Sequence, residues 1–257
     1  MSRTFAESME EAQRISIVYS ERQVWYQSKF MWLFLFLLGV LLCYPYSFGT
    51  SFHYFIYRAL FCIVILFSVY ALNLKRSLVA FALILAAPPI IQHTIYAADL
   101  RTQTAVINSF LSLAFDVFIV IVIFRRIFAK AKADAEAIFG ALCIYLFVGF
   151  SFASIFRLTT YFEPHAFYLD PTVNSHTIFD RLDAVYYSFG TMTSLGANGI
   201  TPVSGEARLL TIIEALLGVL FLAVLVSRLL AAYGVKDALL PSRSAEVSTL
   251  DSQKSAS

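Results

Sequence analysis

Charge and cysteine are scarce in this 257-residue chain. Only 14% of its residues are Asp, Glu, Lys or Arg, and 19 basic against 17 acidic side chains leave a formal net charge of +2. That near-neutral balance provides no basic footprint for nucleic acid, so no such partner is expected. Cys43, Cys62 and Cys143 are the only cysteines, each inside an apolar run and none in paired spacing. They read as packing residues rather than as a disulfide framework or a thiolate metal site. His165, His176 and Asp170 are too scattered for a metal site, and no nucleophile and base stand at a recognisable spacing. No enzyme activity and no cofactor are expected. A cleaved leader is not expected either, because the first apolar run, starting near Phe30 behind Glu7, Glu10, Glu11 and Glu21, is too long for a signal-peptide core.

Apolar and aromatic residues fill the space that charge leaves. The chain is 59% hydrophobic, with 25 Phe and 14 Tyr, and its mean hydropathy is +0.74. This composition is that of an integral membrane protein. Apolar stretches of spanning length occur at about 30–47, 54–74, 77–98, 105–127, 136–156 and 208–233, and about 20 helical residues cross a bilayer. An all-α integral membrane fold with about six transmembrane helices follows. Basic residues concentrate in the N-terminal arm (Arg3, Arg14, Arg22, Lys29), at Lys75 and Arg76, and in Arg125, Arg126, Lys130 and Lys132. The positive-inside rule then makes both termini cytoplasmic and turns the loop from Leu158 to Arg208 outward. Four parts are expected: a cytoplasmic arm over 1–28, a four-helix membrane domain over 29–128, a pore-type domain over 129–238 and a disordered cytoplasmic tail over 239–257. The arm reads either as an interfacial helix or as a partly ordered solvated segment, and the Ser- and Ala-rich tail has no apolar period.

Between the fifth and sixth membrane helices, Asp183 to Pro202 reads as an amphiphilic half-helix followed by a small-residue loop. Non-helical backbone at membrane depth must line a cavity or be buried in protein, which makes this a re-entrant pore helix and filter loop dipping in from outside. Asp180 is placed to cap the half-helix and Asp183 to occupy its first turn, both favourable at a positive helix start. Its other end, near Thr191 and Met192, turns partial negative charge toward the membrane interior, where a cation is stabilised. Ser194-Leu195-Gly196-Ala197-Asn198 is small enough to turn carbonyls toward a shared axis. One such loop cannot encircle an ion, so a closed ring of about four chains is expected.

The segment from Asp183 to Ala232 resembles the pore domain of the potassium channel family, of the bacterial ion-channel type. The resemblance is carried by Tyr186-Tyr187-Ser188, by Thr191-Met192-Thr193-Ser194 at the approach to the filter, by Ile200-Thr201-Pro202 at its exit, and by Arg208 to Arg228 with Glu214 and Gly218. It implies a homotetrameric cation channel in the bacterial inner membrane, with lipid and monovalent cations as its other partners. The conduction filter it implies is Thr193, Ser194, Leu195, Gly196, Ala197, Asn198 and Gly199, with K+ or another monovalent cation held at Ser194, Leu195, Gly196 and Ala197.

Where the family carries Thr-Val-Gly-Tyr-Gly-Asp, this chain has Ser194-Leu195-Gly196-Ala197-Asn198-Gly199. Ser194 keeps a coordinating hydroxyl and Gly196 a position suited to positive φ. Asn198 stands for the second glycine and tolerates the left-handed region better than other residues with a β-carbon. A register using Gly199 instead would spoil the alignment of Ile200-Thr201-Pro202. Ala197 replaces a Tyr that in the family packs outward and fixes the width of the ring. A softer filter with weak K+ over Na+ discrimination is the expectation.

Asp183, Tyr186, Tyr187 and Glu214 are the candidate supports of the pore helix and filter, Glu214 by a hydrogen bond from behind. Gly218, midway along the last helix, is either a gating hinge or a close-packing position. The fourth helix has no arginine array: between Ala105 and Val122 its one ionisable residue is Asp116, so no working voltage sensor is expected. Arg58 and His93 are the other intramembrane ionisable groups of the first four helices, and Arg58 is a candidate partner for Asp116. Pro88-Pro89 should break or kink the third helix. The rival readings are a non-conducting channel-like subunit, and a secondary transporter built on that broken helix.

Overall fold

The computed structural model describes residues 28–44, 51–72, 76–95, 102–128 and 135–239. They form seven helices, α1 (Lys29–Cys43), α2 (Ser51–Ala71), α3 (Arg76–Ile95), α4 (Thr102–Phe128), α5 (Ala135–Phe162), α6 (Arg181–Met192) and α7 (Gly205–Leu239), with two short strands, β1 (Phe167–Leu169) and β2 (Ile200–Pro202). The expected arm, all but Ser28, and the tail beyond Leu239 lie outside the described residues, as do the side chains of Arg58 and His93.

The protein is a mostly helical membrane protein. Among the described residues, three helical stretches, Val106–Ile127, Glu136–Phe162 and Gly205–Arg228, are long and apolar enough to cross a bilayer. Shorter apolar stretches at Lys29–Cys43, Ala59–Ala71 and Leu78–Ala87 coincide with three further expected spans. The break expected at Pro88 and Pro89 is not seen: helix α3 is continuous through both prolines.

Buried positions recur at helical spacing. Phe30, Leu33, Leu37 and Val40 form the inner stripe of α1, and Phe115, Ile119, Ile123 and Ile127, four residues apart, form that of α4. Both stripes join one core with Cys143, Ile144 and Phe147 of α5. At one end of this bundle Arg126 donates to the carbonyls of Ala71 (3.2 Å) and Leu72 (3.0 Å) and pairs with Glu136 at 3.3 Å. A cation on the last carbonyls of α2 satisfies acceptors that the helix leaves open and complements its dipole. Arg126 therefore ties α4 to the end of α2 and the start of α5.

A second, smaller core seats α6. Phe156, Phe167 and Tyr187 meet with ring centroids 5.0 to 5.5 Å apart and steep interplanar angles, the edge-to-face arrangement aromatic rings favour. Phe179 stacks on Phe167 at 4.5 Å. Beside this core β1 and β2 pair antiparallel, Leu169 opposite Ile200 and Phe167 opposite Pro202. The expected exit segment Ile200-Thr201-Pro202 is thus the strand that pairs the end of the loop with β1.

Candidate pore helix and filter loop

Helix α6 starts as its sequence predicts. The Asp180 side chain accepts from the Asp183 N–H and the Asp183 side chain from the Asp180 N–H, both at 2.9 Å, a reciprocal capping box. The His176 Nε2–H also donates to Asp183 Oδ2, at 2.9 Å. This hydrogen bond is the main reason the imidazole pKa lies above its ordinary value; partial desolvation opposes it, and the charges of Asp183 and Asp180 add to it. His176, Asp180 and Asp183 bring ligand-type atoms within 4.8 Å of one another. Capping engages those carboxylates, at a helix end whose dipole repels cations. Sequence reasoning grouped His176 with His165 and Asp170; its partner is Asp183.

At its other end α6 leaves four carbonyls without helical partners, and all four are engaged. Phe189 accepts from Thr193 N (3.0 Å), Gly190 from Gly196 N (3.0 Å) and Thr191 from Ser194 N (3.0 Å). Met192 accepts from the Tyr145 hydroxyl at 3.3 Å. The loop folds back so closely that a β-carbon on Gly190 would sit 2.9 Å from the Gly196 oxygen.

Support from behind converges on α7. Glu214 is fully buried, and its Oε1 lies 2.5 Å from the Ser188 hydroxyl, which also reaches the Gly149 carbonyl of α5 at 2.7 Å. Three helices meet at that one hydroxyl. The Thr211 hydroxyl donates to the Ala207 carbonyl at 2.7 Å, which leaves the Tyr187 hydroxyl as donor to Thr211 at 2.8 Å. Tyr186 points the other way, and its hydroxyl accepts the Asn198 N–H at 3.1 Å. A β-carbon on Gly218 would overlap the Met192 carbonyl, so close approach of α7 to the end of α6 is a sufficient reason for glycine there. Sequence reasoning left Gly149, Tyr145, Thr211 and Asn174 out of the site; single polar or small residues in apolar helices carry no spacing that would have marked them.

Positive φ occurs at Ser194 (60°), Gly196 (82°) and Gly199 (81°). Gly196 behaves as expected, but the second left-handed position is Gly199 and not Asn198. Glycine is required there on a second count, because a β-carbon on Gly199 would meet Asn174 Nδ2 at 2.8 Å. The Gly199 carbonyl accepts from Asp170 N and Asn174 Nδ2, both at 2.8 Å, which anchors the outer end of the loop to the outer segment. Asp170 is itself ordered by Thr172, whose N–H and hydroxyl bonds hold its pKa below the usual carboxylate value. Of the four positions read as ion-coordinating, Ala197 has its carbonyl bonded by Ile200 N at 3.2 Å, and that of Gly196 lies against Gly190. Among the described residues, the carbonyls of Ser194 and Leu195 accept no hydrogen bond. Thr193 to Gly196 are exposed on the single chain, Leu195 by 80%.

Residues 141–234 match the family described as ion channel, a span that holds most of α5, all of α6, the loop and most of α7. No curated protein and no solved structure matches the chain. The segment 141–234 is thus similar to the ion-channel family, consistent with a pore domain of the potassium-channel type.

Proposed function

We propose that four copies of this chain assemble around an axis and conduct monovalent cations through the loop Thr193 to Asn198. The observation that carries this reading is the loop's construction: an exposed backbone with uncommitted Ser194 and Leu195 carbonyls, braced by Tyr186, Gly190 and the outer segment and backed by Ser188 and Glu214. Such bracing suits oxygens that must replace an ion's hydration shell. Ser194 and Leu195 contribute the coordinating carbonyls, while Gly196 and Ala197, whose carbonyls face Gly190 and Ile200, and Gly199 hold the shape of the loop. The apolar face of α7, with Leu209, Ile212, Leu216 and Leu220 all more than half exposed, fits helix contacts with neighbouring subunits and lipid. Six spans, a re-entrant loop and cytoplasmic termini complete the reading. K+ or a similar ion is the permeant species and no other cofactor is required.

Ala197 offers no outward hydroxyl, and the single Tyr186 contact holds the ring less firmly than a packed tyrosine cuff, so discrimination between K+ and Na+ is weak. Purified protein in planar bilayers is expected to give unitary current steps, with a K+/Na+ bi-ionic reversal potential close to zero. Folded tetramer without steps would instead mark a non-conducting subunit. Flux without steps would mark a transporter.

A further inference from the structure

Away from the filter loop, helices α1, α2, α4 and α5 and the start of α6 enclose a cavity of about 110 Å³. Its polar lining includes Asn108, Ser112 and Asp116 of α4, Ser154 and Arg157 of α5, and Arg181, the first residue of α6. Asn108, Ser112 and Asp116 are four residues apart and share one helix face. Arg126 pairs with Glu136, and Ile127 packs at Gly140, so α4 and α5 run antiparallel from a joint at the inner side. Asn108 therefore lies toward the end that holds Arg157, and Asp116 lies about 12 Å deeper along α4.

The hydrogen-bonding groups in this cavity are unbalanced in a defined way. Asn108 Oδ1 is buried with no partner, and Asp116 has neither a hydrogen bond nor an ion pair among the described residues. Both are acceptors. A carboxylate at membrane depth is costly unless a donor or cation meets it. At the end away from Asp116, beside Asn108, stand two guanidinium groups, that of Arg157 donating to the Tyr161 hydroxyl at 2.6 Å with further N–H groups to spare. A cation alone would face those arginines, and an anion alone would leave Asp116 without a donor among the described residues.

We propose that the cavity binds a small zwitterion, a primary amine and a carboxylate joined by a short methylene chain. The ammonium is held by Asp116 and Ser112 and the carboxylate by Arg157 and Arg181, while Leu37, Val64 and their apolar neighbours pack the chain. The site touches the pore helix directly, since the Arg181 carbonyl accepts from the Tyr44 hydroxyl at 2.9 Å, but binding there does not depend on conduction.

The test is isothermal titration of the full-length protein in detergent with β-alanine, γ-aminobutyrate and δ-aminovalerate, using butylamine and butyrate as single-charge controls. At least one zwitterion is expected to bind about tenfold or more tighter than either control, and Asp116→Asn and Arg157→Gln each to remove that advantage. Binding by no zwitterion, equal binding of butylamine or butyrate, or full affinity in folded Asp116→Asn would overturn the assignment. Should the variants fail to fold, the comparison of zwitterions with controls on the unaltered protein decides it alone.

Discussion

The Tyr186 hydroxyl accepts the backbone N–H of Asn198 at 3.1 Å, so a pore-helix tyrosine holds the loop that follows it twelve residues later. In the family that this segment resembles, an outward tyrosine within the loop itself fixes the width; here the brace runs from helix to loop. A Tyr186→Phe substitution removes one hydrogen bond while keeping the ring. The net loss is about 1 kcal/mol. It is expected to leave the thermal midpoint of the detergent-solubilised protein almost unchanged while altering the single-channel conductance and moving the K+/Na+ reversal potential still closer to zero. Unaltered conductance and reversal potential would show that the brace does not set the width of the loop.

Glu214 and Ser188 make the second contact behind the loop, and their removal should be felt as packing. Glu214→Gln keeps length and hydrogen-bonding capacity, so it is expected to retain assembly and nearly full thermal stability. Glu214→Ala opens a cavity at a fully buried position between α6 and α7, at a cost on the order of 2 kcal/mol. Thermal unfolding of both variants followed by tryptophan fluorescence, with oligomer size by light scattering, checks the pair.

Element types and the short helix α6 were legible from the sequence because they rest on local rules. Asp180 and Asp183 announce a helix start wherever they precede an apolar turn, and the wide apolar runs announce helices. The loop was legible in part. Gly196 took its left-handed place, but the other left-handed glycine is Gly199, which Asn174, 25 residues away, both crowds and bonds at its carbonyl. No local pattern encodes such a contact. The same applies to Pro88 and Pro89: the missing hydrogen bonds follow from their chemistry, yet whether the helix continues depends on its neighbours.

His176 gives the pore-helix cap a pH dependence with a definite sign. Its folded-state pKa is raised above the ordinary 6.5, chiefly by the bond to Asp183, so folding favours the protonated ring. The stabilisation is fully present below the unfolded value and fades as pH rises through the folded one. The side chain is 42% exposed, and solvent screening keeps the effect small. The difference in thermal midpoint between the unaltered protein and His176→Ala is expected to shrink as the pH is raised from about 5.5 to about 8.5. A difference that grows over that range would contradict the His176 to Asp183 geometry.

Gly218 separates close packing from hinge motion. A β-carbon there would overlap the Met192 carbonyl and come within 2.8 Å of its Cγ, and the Met192 carbonyl is already engaged by Tyr145. Neither the end of the pore helix nor α7 can yield without shifting the other. Gly218→Ala is therefore expected to destabilise the protein by about 1 to 3 kcal/mol, the usual cost of overpacking, even though alanine is the better helix former. A residue needed only to bend α7 during gating would behave differently: alanine would change open probability while leaving the thermal midpoint unchanged or higher. Measuring both on one preparation distinguishes the roles, and a lowered midpoint with a displaced K+/Na+ reversal potential would place the effect at the junction of α7 with the filter.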